Sequence, residues 1–112
     1  MGEVMPTWEI RGNVQGVMFR QTFVRGLLKR GLAGGASNDP TNRQRVVVTI
    51  ADDGKKSHEL LAQIAAGDVL NSRGAAAESV ELLEEFWDWH EHQVTTLNVE
   101  EFAWQSGVEF YL

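Results

Sequence analysis

Residues 12–20 read Gly12-Asn13-Val14-Gln15-Gly16-Val17-Met18-Phe19-Arg20, and the segments on either side of them decide the architecture. Upstream, Thr7 to Gly12 alternates Trp8 and Ile10 with polar neighbours, the period of a half-buried strand. Downstream, Phe19, Phe23, Val24, Leu27 and Leu28 recur at helical spacing as far as Arg30, and Gly31 suits a left-handed C-cap. Between them, Asn13 to Val17 carries a glycine and no periodicity, which predicts a loop from strand to helix. Such a junction can hold an anion. Free N–H groups converge at a helix N-terminus, and the helix dipole favours negative charge there. Gly16 permits the positive φ that turns successive amides into a concave nest. Arg20, in the first helical turn, offers a planar guanidinium that matches two phosphate oxygens. The stretch is neither a Walker loop, since no Gly-Lys-Ser/Thr follows, nor a dinucleotide fingerprint, whose glycine spacing differs. The bland alternative is a tight turn before a helix whose arginine is solvated.

Working outward, Leu32 to Ser37 predicts a short glycine-rich strand, and Asn38-Asp39-Pro40-Thr41-Asn42 a turn. Arg45 to Ala51 is dense in β-branched residues and reads as a strand ended by Asp52-Asp53-Gly54. Two helical patterns follow. Ser57 to Ala66 carries Leu60, Leu61 and Ile64, and Ala76 to Glu91 places Val80, Leu83, Phe86 and Trp87 on one face. Gln93 to Phe102 and Val108 to Leu112 read as further strands. With 19–30 and 76–91 as the core helices, the order is βαββαβ. That order predicts an α+β fold of ferredoxin-like type, an antiparallel sheet with two helices on one face. Residues 55–74 then become a helical insertion, expected to be peripheral to the loop and to Asn38.

The composition belongs to an ordinary soluble domain. The chain has 112 residues, 43% hydrophobic and 23% charged, which suits one domain over 1–112 with a true core. It has no cysteine, which excludes disulfides, thiolate metal sites and cysteine nucleophiles. No apolar run approaches a membrane span, and Met1 to Pro6 resembles no signal or myristoylation sequence. A cytoplasmic monomer is the expectation, with no membrane partner. The net charge of −6 is uneven: residues 1–50 carry +4 and residues 51–112 carry −10. An acidic chain repels nucleic-acid backbones, yet its basic half can hold a small anion.

The nonapeptide at 12–20 closely resembles the signature of the acylphosphatase family, G-x-V-Q-G-V-x-F-R, at every specified position. The second motif of that family centres on an asparagine after a Gly-Leu turn and a short strand. Gly31-Leu32-Ala33-Gly34-Gly35-Ala36-Ser37-Asn38 puts Asn38 there. Gly35 replaces the usual aromatic residue, Ala36 the usual valine, and Asn42 the glycine expected after the asparagine. The resemblance implies hydrolysis of small acyl phosphates to carboxylate and inorganic phosphate, with no metal, no cofactor and no phospho-enzyme. It implies that Arg20 and the amides of Gln15, Gly16, Val17, Met18 and Phe19 cradle the phosphoryl oxygens, and that Asn38 orients the attacking water. The chemistry is sensible for such residues. A carboxylate leaving group has a conjugate acid of pKa near 4 and departs without general-acid help. Phosphoryl transfer then asks mainly for positioning and charge stabilisation.

Two other readings stay open: a non-catalytic module that binds phosphate or acyl phosphate, and a domain of a larger maturation enzyme, against which the short self-contained chain speaks. Among the remaining polar residues, His90-Glu91-His92 reads as a solvated helix end rather than a metal site, and His58 stands alone. Trp87 is expected to pack, and Trp89 to be half-exposed or to cover the insertion.

Overall fold

Three valines, a threonine and an isoleucine in Arg45–Ile50 form a strand that is paired on both sides. The computed structural model describes residues 4–52 and 54–112; the expectations for Met1 to Glu3 and for Asp53 lie outside the described residues. The first strand, β1, is Val4–Asn13; helix α1 is Phe19–Lys29; β2 is Gly34–Asn38; β3 is Arg45–Ile50; helix α2 is Lys55–Ala65; β4 is Ala76–Asp88; β5 is Val94–Thr95. The sheet order is β4-β1-β3-β2-β5, and every pairing is antiparallel. This is the ferredoxin-like α+β arrangement, with β1 and β3 central and each followed by a helix.

The register puts Ile10 opposite Val46, and Trp8 and Ala36 opposite Val48. Alternation aims these residues at one face of the sheet. There they bury Phe23 and Leu27 of α1 with Leu60 and Ile64 of α2 in one cluster. Both helices therefore cover the same face.

Residues 55–65 are thus the second helix of the fold itself and not an insertion, and residues 76–88 are a strand where a helix was expected. The confusion has a physical cause. Glu78, Glu81, Leu82, Leu83, Glu84 and Glu85 all favour helices, and propensity yields to tertiary pairing. Here β1 offers an open edge that pairs with β4 along its length. Two register shifts against β1, between Pro6 and Trp8 and between Arg11 and Gly12, also break the alternation that would have marked a strand. The expected strand at 93–102 keeps only Val94–Thr95 and then closes into a turn. In that turn Thr95 Oγ1 accepts from the amides of Leu97 and Asn98, and Asn98 Oδ1 accepts from the amide of Thr95. The expected strand at 108–112 is a single bridge, Asn71 to Phe110, and Leu112 is buried against Gly26.

The second face of the sheet is polar and is crossed by the segment that follows β4. A 3-10 turn at Trp89–Glu91 lies over β2 and β3. Trp89 is buried, contrary to expectation, and Trp87 is half-buried and stacks on His92, ring centroids 5.1 Å apart. The loss of an aromatic side chain at Gly35 is thereby explained. A Cβ there would lie 2.7 Å from His92 Cβ, 2.9 Å from the Val94 carbonyl and 3.0 Å from that of Trp89. The chain 89–94 itself fills the space.

Gly35→Ala should therefore lower stability by about 1–3 kcal/mol, the usual cost of overpacking a close contact. Urea unfolding of the two proteins measures it. An unchanged midpoint would mean that the 89–94 segment is free to move aside.

Candidate functional site

The loop from Asn13 to Met18 is shaped by two residues with positive φ. Gly16 has φ +77° and Met18, the N-cap of α1, has φ +60° with ψ +28°. A methionine in the left-handed region is strained, and such strain concentrates where the surrounding structure demands a particular chain path. The backbone N–H groups of Gln15, Gly16, Val17 and Met18 meet no acceptor among the described residues. They stand at the N-terminus of α1, where the dipole adds positive potential.

Two side chains far away in sequence hold this loop in shape. The Gln15 side-chain amide donates to the carbonyls of Asp39, Asn42 and Arg45 at 2.9–3.1 Å, tying the loop to the turn after β2. The side chain of Gln15 is thus committed to the fold, and neither Gln15 nor Val17 lines the cavity that Gly16, Met18 and Phe19 reach. On the opposite side Asn71, fully buried, donates to the Val17 carbonyl at 2.9 Å and to Thr22 Oγ1 at 2.8 Å. Its Oδ1 accepts from the amides of Arg73 and Ala75, so every polar atom of the buried side chain is engaged.

Arg20 and Asn38 come together here. Arg20 is half-buried, which lowers its pKa from the usual value, yet a guanidinium stays protonated at neutral pH. Its Nη1 donates to Gln93 Oε1 at 2.8 Å, and the backbone N–H of Asn38 donates to the same oxygen at 2.9 Å. One carboxamide oxygen therefore joins the arginine of α1 to the last residue of β2. Asn38 Oδ1 is buried and has no hydrogen-bond donor among the described residues. Arg20, Asn38, Gly16 and Met18 line one cavity of about 230 Å³, with Arg73 and Phe102 on its wall. No carboxylate lines it among the described residues.

The sequence model of the acylphosphatase family matches residues 7–90. The chain belongs to the acylphosphatase family. A search among curated proteins finds no match. The matched span runs from Thr7, within β1, through the loop, both helices, β2, β3 and β4. Membership supports acyl phosphate hydrolysis in general and marks this acylphosphatase-family chain as a hydrolase by family. Gln93 lies outside the matched span and belongs to no motif, so nothing in its local sequence announces it. Asn71 and Arg73 sit in a polar break that reads as an ordinary turn. The 55–74 segment is accordingly not peripheral at its C-terminal end.

Gln93 is itself placed by a chain of hydrogen bonds across the polar face of the sheet. Thr7 Oγ1 donates to the Met5 carbonyl, so it must accept from Thr49 Oγ1, 2.9 Å away. Thr49 then accepts from His92 Nε2 at 2.8 Å. The free acceptor of the ring, Nδ1, accepts a hydrogen bond from the Ser37 hydroxyl at 2.9 Å, and Ser37 Oγ accepts from the Gln93 amide at 2.8 Å. The tautomer follows from the donor count: Nε2 carries the proton. His92 is therefore buried and neutral, not a solvated helix end, and burial pushes its pKa down to about 4.

A histidine whose pKa falls on folding binds more protons in the unfolded chain between pH 6.5 and 4. Its contribution is whole above pH 6.5 and is lost as pH falls toward 4. Stability should drop by about 2 kcal/mol between pH 7.5 and pH 5. The Glu9, Asp39 and Asp88 carboxyls are held below their usual range, so their losses begin lower. Urea midpoints of the parent and of His92→Gln at the two pH values test this; an equal drop in both would remove His92 as the source.

Proposed function

We propose that the chain hydrolyses the carboxyl–phosphate anhydride of small acyl phosphates, releasing a carboxylate and inorganic phosphate. The phosphoryl group sits in the loop, its oxygens held by the amides of Gln15, Gly16, Val17, Met18 and Phe19 and by Arg20. Asn38 aligns the attacking water through its side-chain amide. Water oxygen bonds to phosphorus, the bond from phosphorus to the acyl oxygen breaks, and the carboxylate leaves with the electron pair. The water protons end on the phosphate product and solvent. An amide is too weak a base to take a proton, so Asn38 acts by alignment.

The observation that carries this reading is the shared Gln93 oxygen, which ties Arg20 and Asn38 at the mouth of the open amide loop. The place of Asn38 on the cavity wall with Arg20 supports it, since a carboxamide can both donate to a water and accept from one. Positive charge comes from one guanidinium and a helix N-terminus, which stabilise the equatorial oxygens as the bond to the leaving group loosens. No metal is needed for that task in this scheme, and none is assigned.

Turnover of benzoyl phosphate in the presence of a chelator tests the reaction. Arg20→Ala should lose both turnover and phosphate affinity, because the guanidinium touches the phosphoryl group throughout. Asn38→Ala should lower kcat by roughly 10²–10³ with phosphate affinity near the parent value, the scale for one oriented transition-state contact. Loss of phosphate binding in Asn38→Ala would move that residue into the cradle. A folded parent that binds phosphate without hydrolysing benzoyl phosphate would leave a phosphate-binding module.

Phosphate itself should raise the melting temperature of the parent, by mass action on the native state. Arg20→Ala should show no such rise. Equal rises in the two proteins would signal a general salt effect and take Arg20 out of the site.

A further inference from the structure

The cavity holds a second cation that the proposed reaction does not use. Arg73 is exposed on its wall, in the turn between α2 and β4. Its placement is built rather than incidental. The backbone N–H of Arg73 donates to Asn71 Oδ1 at 2.9 Å, and Asn71 is the buried residue that also grips the Val17 carbonyl. The guanidinium is steadied by neutral oxygens: Nη1 donates to Gln105 Oε1 and Nη2 to the Gly16 carbonyl at 3.4 Å. No carboxylate pairs with Arg73 among the described residues, in a chain whose net charge is −6. Arg20 likewise meets only a carboxamide oxygen. Two guanidiniums without counter-charge thus share one small cavity.

The two are anchored at different points of the cavity wall. Nη2 of Arg73 rests on the Gly16 carbonyl. Arg20, by contrast, is tied to the Asn38 side through Gln93. Of the five N–H groups of Arg73, three remain after Gln105 and Gly16 are served, enough for a forked contact with one carboxylate. A cavity of about 230 Å³ is small beside ordinary ligand pockets, which favours a short substrate with a compact second anion.

We infer that Arg73 is a specificity residue that receives a carboxylate at the far end of the acyl chain, so that the preferred substrates are monoacyl phosphates of short dicarboxylic acids. This rests on the proposed phosphoryl site. The phosphoryl group enters the amide loop beside Arg20, and the acyl chain runs along the wall that includes Phe102 toward Arg73.

The test compares succinyl phosphate with propionyl phosphate in the parent, Arg73→Met and Arg73→Lys. The parent should favour succinyl phosphate in kcat/KM. The ratio of the two kcat/KM values should fall about tenfold to hundredfold in Arg73→Met, the scale of one charged hydrogen-bonded contact, and Arg73→Lys should keep part of it. A ratio unchanged by Arg73→Met would overturn the inference, and so would an equal loss on both substrates, which would place Arg73 on the phosphoryl group. A second arm needs no turnover: 3-phosphonopropionate should bind the parent more tightly than ethylphosphonate, and Arg73→Met should abolish the difference. If that discrimination holds while neither acyl phosphate is hydrolysed, the hydrolytic reading fails and the role of Arg73 stands. Turnover without discrimination sinks Arg73 alone. If the parent does not distinguish the two phosphonates and turns over neither substrate, both fall.

Discussion

A single carboxamide oxygen, Gln93 Oε1, stands between the guanidinium of Arg20 and the backbone amide of Asn38. Without it, a helix residue and a strand residue at the mouth of one cavity would have no direct tie, and a charged group in a half-buried place would lack an acceptor. With it, the relative position of the two is fixed by hydrogen bonds that cost little to keep, because both donors already face the oxygen. The oxygen is in turn placed by the chain through Ser37, His92, Thr49 and Thr7, which runs from the site along the polar face of the sheet. The order of protons in that chain is determined at its far end, where the Thr7 hydroxyl gives its one hydrogen to the Met5 carbonyl and accepts from Thr49 and from the Trp87 amide. A buried polar network of this kind is sound only when every member is satisfied, and this one is.

The sheet thus has two different jobs on its two faces. One face carries Ile10, Val46, Val48 and Ala36 into the hydrophobic core beneath the helices. The other carries Thr7, Glu9, Thr49 and Ser37, whose neighbours are hydrogen-bond partners. Glu9 shows the same economy as His92. Nearly buried, it accepts from Arg11 at 2.8 Å and Arg45 at 2.7 Å, and Arg45 reaches on to Asp39. That network steadies the turn after Asn38, so the polar face helps to hold the candidate site from beneath.

The loop itself cannot be stabilised by burial, because its amides must stay open if they are to receive an anion. Its shape is kept by side chains that take over what secondary structure would otherwise do. Gln15 supplies hydrogen bonds to three carbonyls of the neighbouring turn, and Asn71 takes the Val17 carbonyl from the other side. The left-handed Met18 is then the consequence of fitting a helix start to a loop held at both ends. Rigid support and an unpaired main chain coexist only because the support comes from elsewhere in the fold.

Much of this was legible in the sequence where the information is local. The strand–loop–helix unit at 7–30 and the strand at 45–50 follow from periodicity and glycine chemistry, the anion-ready loop with Arg20 from the glycine and arginine at a helix start, and Asn38 only from the resemblance to the second acylphosphatase motif. The identity of the second core helix was not legible, because 55–65 and 76–88 both carry helix-spaced apolar residues. Only the open edge of β1 and the register shifts along it turn the second of these into a strand. The roles of Gln93, Asn71 and Arg73 were invisible for the same reason. A glutamine, an asparagine and an arginine in polar turns have no distinguishing pattern of their own. What gives them meaning is proximity to Arg20, Val17 and Gly16 across 73, 54 and 57 residues of chain. The sequence by itself determined the strand–loop–helix unit and the class of the fold, since these depend on neighbours a few residues apart. The tertiary structure alone decided which helix completes the core and which distant side chains hold the site, since contacts between remote segments exist only once the chain has closed on itself.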